Sequence, residues 1–327
     1  MSNSSYRKID YRLRPAKHIE RSLFAESFKN IPFHKISDYE YVGFGSLYFS
    51  DFRVFHKEVG IDKLISIEKN SNDKERFEYN KPFSCIDVRY GHSSSEIPKL
   101  DWESPKIIWL DYDGTLNKDV LGDIRTCASN SESGTFLAVS INAEPLQDPK
   151  ASQDDPEHGI EKLIDAVGKQ RIPAGTKSVD LSSKGTAKAY YDIVIAEVQK
   201  ALSVRNACIQ KSDQLKFMQC FHIKYADGAP MLTIGGFLAN YRHQKLLMKS
   251  SIVKQLFYRN GSDSLSIDVP LLTLKEVIDL EMLVPVDGIE DLDPNKFKHN
   301  TKAPNRDVVH YLKTYRFLPN YLPVQLV

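Results

Sequence analysis

The sequence predicts an α/β fold in which a doubly wound sheet of five parallel strands is completed by a late antiparallel hairpin. Three observations predict it. Apolar strand-like runs alternate with helical patterns five times in the first 143 residues. A glycine turn, Gly43-Phe44-Gly45-Ser46, joins the first of these strands to the helix behind it. Two later apolar runs, 215–226 and 230–239, flank Asp227-Gly228, a strong hairpin signal.

The elements follow in order. Pro15 suits a first helical residue, and Ile19, Leu23, Phe24 and Phe28 recur at helical spacing after it. This helix is expected to pack over one edge of the sheet; the alternative sends Arg14 or Lys17 to a ligand carboxylate. Tyr39 to Gly43 reads as the first strand, Asp51 to Val59 as a helix, and Lys63 to Glu68 as a second strand that ends in a carboxylate. Asn72 to Tyr79 is a short charged helix before Pro82, Phe83 to Arg89 is a third strand with Asp87 near its end, and 92–105 suits a surface loop. Lys106 to Asp111 is the clearest buried strand and runs into Tyr112-Asp113-Gly114. Residues 118–128 read as a helix and Thr135 to Asn142 as a fifth strand.

A Pro- and Asp-rich loop spans 144–157, and helical patterns follow at 158–170 and 186–203. Leu274 to Leu283 is a candidate helix with Thr273 as its cap. Residues 285–306 read as loop, and the aromatic-rich tail from Asp307 as a segment that packs back on the body. The expected organisation is a core at 1–143, a helical insertion at 144–205, the hairpin at 206–240 and a C-terminal extension at 241–327.

Composition narrows the function. The chain has 327 residues, 41% of them hydrophobic, enough for a sizeable core. Its 44 basic and 43 acidic residues leave a formal charge of +1, so no global basic field points to nucleic acid. Cys85, Cys127, Cys208 and Cys220 form no Cys-x-x-Cys pair, which argues against a zinc cluster or disulfide framework and for a reducing cytoplasm. The polar, charged stretch from Met1 to Arg14 does not read as a secretory signal, and no apolar run approaches the ~20 residues of a membrane span.

The residues that carry chemistry gather at strand ends. Gly43 and Gly45 let the backbone turn tightly and approach a ligand with no Cβ in the way. Glu68 falls about 20 residues beyond them, where an acid at the tip of a second strand grips ribose hydroxyls. Ligands of open α/β sheets bind beyond the carboxyl ends of the strands, and Gly43, Gly45, Glu68, Asp87, Asp111 and Asn142 are all placed at or near such ends.

This pattern resembles the class I S-adenosylmethionine-dependent methyltransferases, with their Rossmann-like fold, over roughly residues 15–240. Val42-Gly43-Phe44-Gly45-Ser46 resembles their glycine motif, Glu68 their ribose-binding acid, and Asp111 their acid beside the reacting methyl; Asp87 stands near the place of their adenine contact. The 215–239 hairpin resembles their antiparallel sixth and seventh strands. Two departures stand out: the usual acid two residues before the first glycine is Tyr41, and the third glycine is Leu47. The resemblance implies S-adenosylmethionine as cofactor, bound by Gly43, Phe44, Gly45, Ser46, Glu68, Asp87 and Asp111, and a small-molecule or protein side-chain acceptor. Asp111 and Asp113 are the catalytic candidates. With Asn142 they also make an oxygen set for magnesium, as in metal-dependent O-methyltransferases. His92, His158 and His222 are candidate bases by residue type alone. No prolines follow Asp111, which disfavours a base-methylating DNA enzyme.

Two other readings remain open at this level. Asp111-Tyr112-Asp113-Gly114-Thr115-Leu116 resembles the first motif of haloacid-dehalogenase-type phosphatases, with Asp111 as nucleophile, Asp113 as general acid, Ser140 at the second motif, Lys162 or Lys169 as the lysine and Asp287/Asp291 as the acid pair. A methyltransferase-fold protein without catalysis, using its C-terminal third as an interaction surface, is the third.

Overall fold

The computed structural model describes residues 14–147, 157–182, 185–286, 297, 299 and 301–319. Within them the chain runs α1 (Pro15–Phe28), β1 (Glu40–Gly43), α2 (Ser50–Val54), β2 (Lys63–Glu68), α3 (Lys74–Asn80), β3 (Ile86–Tyr90), α4 (Ser93–Glu96), β4 (Lys106–Thr115), α5 (Lys118–Asn130) and β5 (Phe136–Asn142). It continues through α6 (His158–Val167), α7 (Gly185–Asn206), β6 (Lys216–Ala226), β7 (Pro230–Ala239), α8 (Tyr241–Lys249), β8 (Leu265–Ile267), α9 (Leu274–Glu281) and α10 (Asn305–Thr314).

The strands form one eight-stranded sheet in the order β3-β2-β1-β4-β5-β7-β6-β8. β1 to β5 pair in parallel, β7 runs antiparallel to both β5 and β6, and β8 adds in parallel to β6 at the edge. The five expected parallel strands and the hairpin are therefore present. β8 was not expected, because Leu265-Ser266-Ile267 is too short to show a period.

Side chains alternate across the sheet as strand geometry requires. Ile108, Leu110, Leu137, Val139 and Ile141 face one layer, where α5, α6 and α7 supply Ile124, Leu163, Val167, Ile193 and Val194. The 144–205 segment thus shares its core with α5. Ile107, Trp109, Phe136 and Ala138 face the other layer, under α1. There Phe24 meets the rings of Trp109, Phe136 and Phe221 edge-on at 4.9, 5.3 and 4.7 Å. Each such pair contributes about 0.5–1.5 kcal/mol beyond its area.

Three expectations are corrected in detail. β4 does not stop at Asp111 but continues to Thr115, with a register shift against β5 between those residues. The expected loop at 92–105 contains short helical turns at Ser93–Glu96 and Ile97–Lys99, because Ile97 and Leu100 are buried in the α5 layer. α1 covers the body of one sheet face as well as its edge, and it buries Lys17, Glu20 and Arg21 along with its apolar residues. α1 lacks a local side-chain cap. Its first amides are met by the hairpin turn instead: Ala16 N and Lys17 N donate to the two carboxylate oxygens of Asp227 at 3.2 and 2.8 Å. The turn that closes β6 onto β7 therefore fixes the pitch of the helix over the site.

Downstream, Thr273 caps α9 reciprocally with Glu276. α9 and α10 build a small separate cluster around Leu280, Val308 and Leu312. Phe317 returns to the main body at 6.0 Å from Phe257. No helix among the described residues is long and apolar enough to cross a membrane.

Candidate active site

A cavity of about 720 Å³ opens beyond the carboxyl ends of β1, β2 and β4. Gly45 and Ser46 from the turn, Glu68 from β2 and Asp111 from β4 all line it, together with Phe44 and Asp113. The glycine turn and the acid, apart in sequence, converge on one hollow.

The turn is built for close approach. A Cβ on Gly45 would lie 2.6 Å from a Phe49 ring carbon and 2.7 Å from Ser66 Oγ, and one on Gly43 would collide with the Tyr41 hydroxyl. Ser46 and Phe49 hold left-handed backbone, φ 49° and 47°, to bring the chain into α2. Such conformations cost on the order of 1–3 kcal/mol for non-glycine residues and recur at functional loops. Phe44 packs edge-on to Tyr112 with centroids 5.1 Å apart, so its ring forms part of the wall. Tyr48 is partly buried against the α1-side core.

Behind the turn, the Gly45 amide donates to Ser66 Oγ at 3.0 Å, and that hydroxyl donates to Glu68 Oε1 at 3.2 Å. Ser66 and Glu68 are two apart on β2, hence on the same face. Burial pushes the Glu68 carboxyl up to about 7, partly offset by hydrogen bonds from Ser66 and from the Ser46 and Gly45 backbone.

Behind Asp111 lies a buried charged cluster, of which the sequence singled out Lys17 alone, as a partner for a ligand carboxylate; its partner is a carboxylate of the protein itself. Lys17, with no solvent exposure, places Nζ 2.6 Å from Asp111 Oδ1, 2.7 Å from Glu20 Oε2 and 3.0 Å from the Tyr225 hydroxyl. The ammonium also lies 4.1 Å from the Trp109 ring centroid, a cation–π contact. Asp51, from the first turn of α2, lines the cavity and accepts a short hydrogen bond from the Tyr41 hydroxyl. Burial raises the Asp51 carboxyl, and the nearby Arg21 charge opposes that rise. The acid absent at position 41 is thus replaced in space by one ten residues on, held by the tyrosine that displaced it. Arg21 lines the same cavity. The available signal was the run Lys17, Glu20, Arg21 on the packing face of an otherwise apolar helix.

Other expected residues fall elsewhere. Asp87 is exposed, pairs with Arg89 at 2.9 Å and does not line the cavity; Gly91, His92 and Ser93, just past β3, do. β3 runs from Ile86 to Tyr90 at the edge of the sheet, so Asp87 sits near its amino end, away from the carboxyl edge where the cavity opens. Asn142 also lies outside the lining; its Oδ1 accepts the Glu144 amide at 2.8 Å. The oxygen set for magnesium is therefore not assembled, and the charge beside Asp111 is the Lys17 ammonium. Among the described residues no group of three or more His, Cys, Asp or Glu is arranged to hold a metal.

The phosphatase arrangement is not formed either. Ser140 is buried, bonded to Trp109 Nε1 at 2.9 Å and Thr233 Oγ1 at 2.6 Å, and the supposed nucleophile strand is fourth in a glycine-turn sheet. Lys162 and Lys169 do not line the cavity; Asp287 and Asp291 lie outside the described residues. His92 lines the cavity and its Nδ1 accepts the Ser94 amide at 3.4 Å. His222 is buried and stacked on Tyr191 at 4.4 Å, and His158 opens α6; neither lines the cavity.

A family model described as "Putative O-methyltransferase" matches residues 9–326. No curated protein matches the chain in sequence. Among solved structures, the chain is similar to EvdMO1 (11% identity, 70% of this chain and 42% of that one, TM-score 0.35). It is similar to cofactor-bound Rv0187 from MTB (10%, 71% and 82%, TM-score 0.36) and to human N-acetylserotonin methyltransferase in complex with SAM (12%, 68% and 52%, TM-score 0.34). The chain thus spans about half the length of two of these three structures. All three scores lie below 0.5, so the strand order and the family model carry the assignment.

Proposed function

The chain belongs to the O-methyltransferase family whose model spans it almost end to end, and from that premise we propose that it binds S-adenosylmethionine and methylates an oxygen of a small molecule. One observation carries the reading: Gly45, Ser46 and Glu68 meet at a single adenosine-sized cavity on the carboxyl edge of the sheet.

The residues present fit the cofactor. Glu68 offers its outer oxygen to the ribose hydroxyls while Ser66 holds the inner one. Gly91 to Ser93 stand where an adenine edge would lie, and Asp111 faces the methionine end. When bound, S-adenosylmethionine supplies a methyl group activated on a sulfonium. The work of this chain is alignment and charge. Asp111, Asp51 and Glu68 put carboxylates around a cationic ligand, and Lys17 fixes Asp111 in one rotamer. Asp113, exposed at the cavity, borders the approach of the acceptor oxygen and is the candidate to take its proton. We place the reaction in the cytoplasm, in keeping with four free cysteines.

Isothermal titration with S-adenosylhomocysteine and S-adenosylmethionine tests the reading. Saturable one-site binding is expected; no binding to a folded chain overturns it.

A further inference from the structure

We propose that Arg21, and not the glycine turn, anchors the α-carboxylate of the cofactor; the assignment rests on the cofactor reading above. Four amides in and just after the turn of this chain, those of Gly45, Ser46, Tyr48 and Phe49, are already committed. Gly45 N–H goes to Ser66 Oγ at 3.0 Å, Tyr48 N–H to Ser46 Oγ at 3.4 Å and Phe49 N–H to the Gly45 carbonyl at 2.8 Å. The Ser46 backbone bonds Glu68. A carboxylate arriving at the turn would find those donors occupied.

Arg21 is in the opposite condition. It is 6% exposed and lines the cavity, and its Nε is buried with no hydrogen-bond partner. It makes no hydrogen bond or ion pair with any described residue. Asp51 feels its charge through space without reaching it. A buried guanidinium left this way is costly unless a ligand completes it, and its planar fork matches a carboxylate two bonds at a time.

The surrounding charge selects the same group. The cavity wall carries five carboxylates, on Asp51, Glu68, Asp111, Asp113 and Asp119. They suit a sulfonium and an ammonium but repel a carboxylate. Against them stand two cations, Arg21 and the exposed Lys69. Arg21 lies one helical turn beyond Lys17, which grips Asp111, so it sits at the methionine end and not at the ribose end held by Glu68.

The test compares S-adenosylhomocysteine with its decarboxylated analogue, which keeps the amine and loses only the carboxylate, by isothermal titration on the full chain. Wild type should prefer the carboxylate form by about tenfold or more, the scale of a lost charge-assisted bond. R21Q should lower S-adenosylhomocysteine binding to the level of the analogue and leave analogue binding unchanged, with R21K recovering part of the loss. Equal wild-type affinity for the two ligands overturns the assignment and leaves the cofactor reading standing. So does R21Q weakening both ligands alike. Wild type that binds neither removes the cofactor reading and this assignment with it. The wild-type comparison needs no variant, so a misfolded R21Q does not blunt it.

Discussion

Lys17 Nζ lies 2.6 Å from Asp111 Oδ1, joining the first helix to the fourth strand across 94 residues of sequence. The lysine is fully buried and the carboxylate side chain is a quarter exposed. Glu20 shares the same ammonium. Removing the cation would strand two carboxylates. K17M should therefore destabilise the fold by about 3–5 kcal/mol, the range for breaking one half of a buried pair. Urea denaturation measures it, and a loss under about 1 kcal/mol would show the pair to be worth no more than a surface bridge.

Glu68 makes stability depend on pH. Its carboxyl is raised from an ordinary 4.5 to about 7 by burial. The folded chain thus holds a proton that the unfolded chain has released, and the benefit is complete below 4.5 and lost as pH rises through about 7. The shift corresponds to about 3 kcal/mol at most. E68Q, which mimics the protonated form, should match wild type at pH 5 and melt higher at pH 8. Parallel melting curves for the two proteins across that range would refute it.

The same side chain should reveal itself in binding. E68A is expected to weaken S-adenosylhomocysteine by tenfold or more, since a hydrogen bond to a charged group is worth ~1.5–3 kcal/mol. Unchanged affinity by calorimetry would remove Glu68 from the ribose site.

Two glycines give a controlled pair. At Gly45 a methyl would press on Phe49 and on the Ser66 hydroxyl that the Gly45 amide bonds, whereas at Gly114 nothing lies within 4 Å. G45A should cost about 1–3 kcal/mol, as overpacking does, and weaken cofactor binding. G114A should leave melting temperature and binding unchanged. A stable, fully binding G45A would mean that the turn relaxes freely.

D87N serves as the negative control. The Asp87 carboxylate is exposed and paired with Arg89 outside the cavity. Its removal should leave S-adenosylhomocysteine affinity within about twofold, as for other exposed pairs. A tenfold loss would bring the third-strand acid back into the site.

Local chemistry written along the chain determined a good deal. The alternation of apolar runs and helices, the turn at Gly43 to Ser46 and the Asp227-Gly228 hairpin specified the sheet, because strand period and turn chemistry act between neighbours in sequence. Glu68 was legible for the same reason: it closes a strand a fixed distance beyond the glycines. What the tertiary structure alone decided is which charges face the cavity. Asp87, Asp111 and Asn142 all read as strand-end residues, yet only Asp111 lines the hollow: β3 begins at Ile86 and so leaves Asp87 near its amino end, β4 runs on past Asp111 to Thr115, and Asn142 turns back to the Glu144 amide. Packing brought Arg21 and Asp51 to the cavity wall and Lys17 to Asp111, 94 residues away, and a periodic pattern records that a face is buried without recording what lies opposite it.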